Sequence, residues 1–137
     1  MPPEDAQASI YKWPILVGLI TGATLGATLQ TVYTISHPDT WYFFVPVYWY
    51  ALSVGMFGFM GTLGGVASAT TLHLAWRLSS VSVCFLRILA SLIVTWALSM
   101  CVGGGAFSLE MAGWIMALVL PQVLLAARTL VVAKKKP

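Results

Sequence analysis

Charged side chains are scarce in this sequence. Only 8% of its 137 residues are Asp, Glu, Lys or Arg, whereas a soluble domain averages about 25%. Hydrophobic residues make up 59% of the chain, and a soluble fold of this length cannot bury that much apolar surface. The composition therefore predicts an all-α, polytopic membrane protein, because a helix satisfies its own backbone hydrogen bonds in lipid.

Side chains that carry chemistry are equally few. The chain has four acidic residues, two cysteines and two histidines, and it lacks the short motifs typical of metal, nucleotide or nucleophile sites. Cys84 and Cys101 lie in one predicted helix, about 25 Å apart, which is too far for a disulfide. We interpret both as small buried apolar residues. Because these motifs are missing, we expect no enzyme activity. His37 and His73 lie near opposite predicted membrane faces, so we expect them to share no metal or haem, and we expect no cofactor.

Long apolar runs divide the chain into four predicted transmembrane helices joined by short loops. A polar lead over residues 1–12 precedes a transmembrane domain over residues 13–133, and residues 134–137 form a basic tail. The predicted helices cover residues 13–35, 47–74, 83–102 and 109–133, and each is long enough to cross a bilayer. The aromatic-rich residues 41–50 either lie in the membrane interface or extend the second helix.

The net charge of +3 does not indicate a nucleic-acid partner. With four spans, all seven basic residues fall on one side of the membrane, which predicts that both termini face the cytoplasm or the matrix. Anionic lipid such as cardiolipin also attracts positive charge at a membrane surface. Four basic residues are therefore predicted to contact lipid headgroups: Arg77, Arg87, Arg128 and Lys134. A role in topology alone is at least as good an interpretation.

Glycine is concentrated in the first two predicted helices. Gly18, Gly22 and Gly26 recur at every fourth residue and therefore share one narrow face of a helix. Such a face lets another backbone come close in lipid, where no hydrophobic effect drives helices together. The second helix is also rich in glycine. Seven glycines are predicted to be helix-packing residues: Gly18, Gly22, Gly26, Gly55, Gly58, Gly61 and Gly65.

This pattern resembles the four-helix family of mitochondrial inner-membrane translocase channels, one branch of which is an accessory membrane subunit of respiratory complex I. The likeness lies in the Gly18-x-x-x-Gly22-x-x-x-Gly26 ladder, the proline-bearing loop His37-Pro38-Asp39 and the glycine-rich second helix. The resemblance implies a structural role in a respiratory complex, with no catalytic residues to transfer.

The first hypothesis is therefore a non-catalytic accessory subunit of a large energy-converting membrane complex, most simply respiratory complex I or a supercomplex in the mitochondrial inner membrane. Its expected partners are other membrane subunits and anionic phospholipids.

Two alternatives remain open, in a bacterial inner membrane or a thylakoid as well as in mitochondria. One is a small oligomeric channel or transporter whose polar wall is formed by four residues of the first helix: Thr21, Thr24, Thr28 and Gln30. The other is a subunit of a photosynthetic complex, in which His37 or His73 ligates a pigment.

Overall fold

A computed structural model describes residues 4–37, 45–75, 78–102 and 109–135 of the chain. These residues form four α-helices and no strand. The helices are α1 (Glu4–Ser36), α2 (Val45–Leu74), α3 (Ser80–Val102) and α4 (Leu109–Lys135). Each contains a segment that is long and apolar enough to cross a membrane. The predicted class, an all-α integral membrane protein with four spans, is confirmed.

The first helix begins earlier than the sequence predicts. It starts at Glu4 rather than at residue 13, so most of the polar lead is helical and Pro14 lies inside the helix instead of in its first turn. Ile10 is buried one turn before Pro14, and this apolar contact extends the packing face of α1 towards its N-terminus. A proline inside a helix removes one backbone hydrogen bond, here the bond that the Ile10 carbonyl oxygen would accept.

The other helix bounds are close to the prediction. Val45 already belongs to α2, so the aromatic segment runs at least partly into that helix, and residues 41–44 lie outside the described residues. The helix α4 continues to Lys135 and includes part of the predicted basic tail.

Consecutive helices pack against each other as antiparallel neighbours, and α4 also contacts α1 and α2. The most extensive interface joins α1 and α2. A buried apolar cluster of Phe57, Met60 and Leu118 links α2 to α4. Phe57 meets Trp114 edge to face, with 5.3 Å between the ring centroids, a geometry that aromatic pairs favour.

The two cysteines occupy different environments. Both are free, and Cys84 is buried as predicted, but Cys101 is exposed. The prediction for Cys101 is wrong because 17 residues of helix turn it about 100° away from the face that carries Cys84. Cys101 lies one residue before the end of α3.

Candidate functional site

The glycines of α1 lie directly against the backbone of α2. A Cβ added at Gly18, Gly22 or Gly26 would overlap a backbone carbonyl group of α2. Four pairs of positions face each other in this way: Pro14 with Gly65, Gly18 with Gly61, Gly22 with Phe57, and Gly26 with Ser53. Each partner advances by four residues in opposite directions, so the contact is a continuous antiparallel seam. We call these eight positions the α1–α2 seam.

Five of the seven predicted packing glycines belong to this seam, and their prediction is confirmed: Gly18, Gly22, Gly26, Gly61 and Gly65. A Cβ on Gly58 would lie 3.4 Å from Leu19 Cδ1, an ordinary contact. The prediction for Gly55 is wrong, because this residue is exposed and an added Cβ would meet no atom within 4 Å. Six residues of helix place Gly55 about 120° around the axis from Gly61.

Hydrogen bonds also hold one end of the seam. The Ser53 hydroxyl donates to the Gly26 carbonyl oxygen across the interface at 2.9 Å. Nearby, the Thr31 and Tyr50 hydroxyls are 2.7 Å apart. The sequence analysis did not identify Ser53, although it continues the four-residue spacing of Gly61 and Gly65 towards the start of α2.

A second polar feature lies along α3, on the face that points into the bundle. Four residues recur there at every fourth position, and we call them the α3 polar line: Arg87, Ser91, Thr95 and Ser99. Their side chains are only 1–2% exposed. Because residues four apart share a helix face, the spacing signal was visible in the sequence. The sequence did not show that this face of α3 points into the bundle.

Arg87 is the charged member of this line. Its Nε donates to the hydroxyl oxygen of Ser68 on α2 at 3.1 Å, and the side chain is 2% exposed. This burial corrects the prediction that Arg87 contacts a lipid headgroup at the surface, because α2 and α4 cover the face of α3 that carries it.

The remaining predicted headgroup residues are placed as follows. Arg128 is exposed near the end of α4, as a headgroup contact requires. Arg77 lies outside the described residues, and so does the side chain of Lys134.

The hydroxyl groups of the α3 polar line lie against a glycine of α2. A Cβ added at Gly64 would be 3.3 Å from Ser91 Oγ and 3.2 Å from Thr95 Oγ1. Gly64 is one turn before Ser68, so one face of α2 contacts Arg87, Ser91 and Thr95. Within the described residues, the buried hydroxyls of Ser91 and Ser99 have no hydrogen-bond partner.

Gln122 brings a buried amide from α4 to α1. Its Nε2 donates to the Pro14 carbonyl oxygen at 2.9 Å, and it also lies 3.3 Å from the position of a Cβ on Gly18. The side chain is 2% exposed, and its Oε1 has no partner among the described residues. The sequence analysis missed Gln122, because an isolated amide next to Pro121 carries no spacing signal.

The polar residues of α1 do not line the interior of the single chain, and the polar wall of an oligomeric channel stays a prediction. Thr24 and Thr28 are exposed, and their hydroxyls donate to the carbonyl oxygens of Ile20 and Thr24 in their own helix. Gln30 donates to Thr34, again within α1. Thr21 is half-buried. The interior polar surface therefore belongs to α3 rather than to α1.

The two histidines lie at opposite ends of the α1–α2 hairpin. His37 stacks on Tyr33 with 4.3 Å between ring centroids, and His73 lies 6.1 Å from Tyr11. Tyr11 and Tyr33 are about 33 Å apart along α1, so the two histidines cannot share a ligand. Within the described residues, no group of three or more potential ligand side chains is assembled for a metal ion.

The fold and these sites define a four-helix integral membrane protein with a closely packed hairpin and a polar line in its interior. Comparisons of the chain with models of known protein families, with curated proteins and with solved structures found no match. The resemblance to the translocase-channel family stays a prediction.

Proposed function

We propose that the chain is a non-catalytic structural subunit of a larger, energy-converting membrane complex, with respiratory complex I or a respiratory supercomplex as the first candidate. The observation that carries this proposal is the α1–α2 seam. Contacts between two backbones leave little freedom for the helices to slide or separate, because packed backbone atoms have no rotamers through which to adjust. A stiff hairpin suits a component that holds neighbouring subunits in position.

The outer face of α1 supplies a surface for such neighbours. In the described part of the chain, α1 packs mainly against α2 and α4, and its opposite side is exposed. Its exposed large side chains are Trp13, Leu16, Leu19, Ile20, Val32, Tyr33 and Ile35. Apolar side chains of this kind fit either lipid or the helix of another subunit, and the proposal assigns part of this face to a subunit.

The proposed setting is the mitochondrial inner membrane, with both termini on the matrix side. Lys12 and Arg128 are both exposed, and the antiparallel order of the helices brings the start of α1 and the end of α4 to the same end of the bundle. Positive charge at one end favours the matrix or cytoplasmic side. The same charges would attract anionic phospholipid such as cardiolipin.

Native gel electrophoresis in mild detergent tests the proposal. We expect the endogenous protein to migrate within an assembly far larger than its own 14.8 kDa, together with respiratory subunits identified by mass spectrometry. Gly22→Leu should remove the protein from that assembly, because it opens the seam. Gly55→Leu is the matched control and should leave migration unchanged. Migration of the wild type as a lone chain or a small oligomer would contradict the proposal.

The α3 polar line favours a second candidate, a small oligomeric channel or transporter. Buried polar groups inside a membrane bundle are costly and commonly mark a path for ions or solutes. Flux measurements on liposomes that contain only the purified protein separate the two functions. Solute or ion flux that Ser91→Leu abolishes would favour transport, whereas liposomes as tight as protein-free ones would favour the structural role.

A further inference from the structure

We propose that Arg87 and Ser91 of α3, with Ser68 of α2, form a binding site for an anion inside the four-helix bundle. The group bound is a free inorganic anion or the phosphate of a lipid, since both present the same negative acceptor to the guanidinium. This inference does not depend on the structural role proposed above.

The Arg87 side chain carries a positive charge inside the bundle. Arginine stays protonated in proteins, and Arg87 is 2% exposed within a membrane span. A buried charge is strongly unfavourable unless an opposite charge lies nearby. Ser68 accepts a hydrogen bond from Arg87 Nε, but a hydroxyl is neutral and leaves the positive charge uncompensated.

No carboxylate in the described part of the chain compensates this charge. Among the side chains that the structure describes, Glu110 is the only carboxylate, and it is exposed in the first turn of α4. That turn follows the end of α3, whereas Arg87 lies about 22 Å back along α3 from Val102. The described side chains therefore supply no negative charge for Arg87, and the proposal assigns that charge to a bound anion.

The Ser91 hydroxyl is a second polar feature of the site. Ser91 lies one turn further along the same face, about 6 Å along the helix axis. Its side chain is 1% exposed, and its hydroxyl has no partner among the described residues. An unpaired O–H donor beside a guanidinium matches an anion, because hydrogen bonds to a charged acceptor are stronger than those between neutral groups. A cation would be repelled by Arg87.

The site lies inside the span, about two turns of α3 from its start. Arg87 lies seven residues after the start of α3 at Ser80, about 10 Å from that end of the bundle. Val83 and Cys84 are buried on the turn before it. Across the interface, Gly64 presents backbone only, with Ser91 Oγ 3.3 Å from where its Cβ would stand.

Chloride binding to the purified protein tests the site. The protein is prepared in detergent with gluconate as the anion, chloride is added, and the ³⁵Cl NMR line width is measured. We expect saturable line broadening for the wild type, its loss in Arg87→Gln, and at least threefold weaker binding in Ser91→Ala. Lys12→Gln removes an exposed charge and Ser82→Ala removes an exposed hydroxyl, so both controls should bind chloride as the wild type does. Phosphorus analysis of the same samples reports bound lipid.

The outcomes separate the two sources of the anion. Loss of chloride broadening in Arg87→Gln with unchanged phosphorus assigns the site to a free anion. A fall in phosphorus in Arg87→Gln but not in Lys12→Gln assigns it to lipid phosphate. A wild type with neither saturable chloride nor Arg87-dependent phosphorus overturns the proposal. If Arg87→Gln does not fold, Ser91→Ala decides, and binding equal to that of Ser82→Ala overturns the proposal as well.

Discussion

Gly18 and Gly61 face each other so closely that neither position has room for a side chain. A Cβ on Gly18 would overlap the carbonyl oxygen of Gly61, and a Cβ on Gly61 would overlap the carbonyl oxygen of Gly18. The contact is therefore backbone against backbone in both directions. In lipid, such close packing replaces the hydrophobic effect as the force that holds two helices together.

This reciprocity predicts that seam glycines do not tolerate even one methyl group. Gly22→Ala should lower the free energy of unfolding by about 1–3 kcal/mol, the usual cost of overpacking, because the methyl group would overlap the Phe57 carbonyl group. The measurement is an SDS titration in mixed micelles, followed by circular dichroism.

Gly55→Ala is the matched control for this substitution. The residue lies in α2, is exposed and has open space around it. Alanine is the better helix former by about 1 kcal/mol, so this variant should be as stable as the wild type or more stable. Equal losses in the Gly22 and Gly55 variants would show that α1 and α2 do not meet at Gly22.

The buried amide of Gln122 should contribute to stability through its contact with α1. Gln122→Ala removes the hydrogen bond from Nε2 to the Pro14 carbonyl oxygen and should cost about 1–2 kcal/mol, since interhelical hydrogen bonds in membranes contribute about 0.6 kcal/mol and lost packing adds to this. Gln30→Ala is the control, because Gln30 donates only within α1. The same unfolding titration would contradict the assignment if both variants lost equal stability.

Substitution of two buried serines, Ser68 of α2 and Ser99 of α3, should change stability by different amounts. Ser68→Ala removes the hydrogen-bond partner of Arg87 and should cost about 1.5–3 kcal/mol, the range for hydrogen bonds to charged groups. Ser99→Ala removes a buried hydroxyl without a partner among the described residues, so stability should stay the same or rise, because an unsatisfied buried polar group costs about 1–3 kcal/mol. A large loss in Ser99→Ala would mean that its hydroxyl is hydrogen-bonded in the membrane.

The two cysteines should differ in reactivity. Cys101 is exposed and Cys84 is buried, so a membrane-permeant maleimide should label the folded protein at Cys101 alone. Intact-mass spectrometry would show a single adduct, and a second adduct only after denaturation in SDS. Cys101→Ser should leave the folded protein unlabelled. Labelling of that variant at Cys84 without denaturant would show that the start of α3 is open.

The sequence was informative wherever a property depends on one helix alone. The four spans follow from the length of the apolar runs, because crossing hydrocarbon sets a minimum length for each helix. The packing face of α1 follows from the strict four-residue spacing of Gly18, Gly22 and Gly26. In α2 the spacing of three between Gly55, Gly58 and Gly61 drifts around the axis, and this is why Gly55 was misassigned.

The interior site depends on more than one helix. Arg87 was interpreted as a residue of the membrane surface because it lies near a helix end, yet α2 and α4 enclose it. Gln122 donates to an acceptor 108 positions away in the chain, a contact that no local pattern indicates.

The amino-acid sequence by itself determined that this protein crosses a membrane four times and that α1 offers a bare face for close packing, because hydrophobic length and glycine periodicity are local properties. Only the tertiary structure decided which face of α2 meets α1 and that the polar side of α3 points inward. The physical reason is that burial belongs to no single helix: a side chain is buried only when other helices, from distant parts of the chain, close around it.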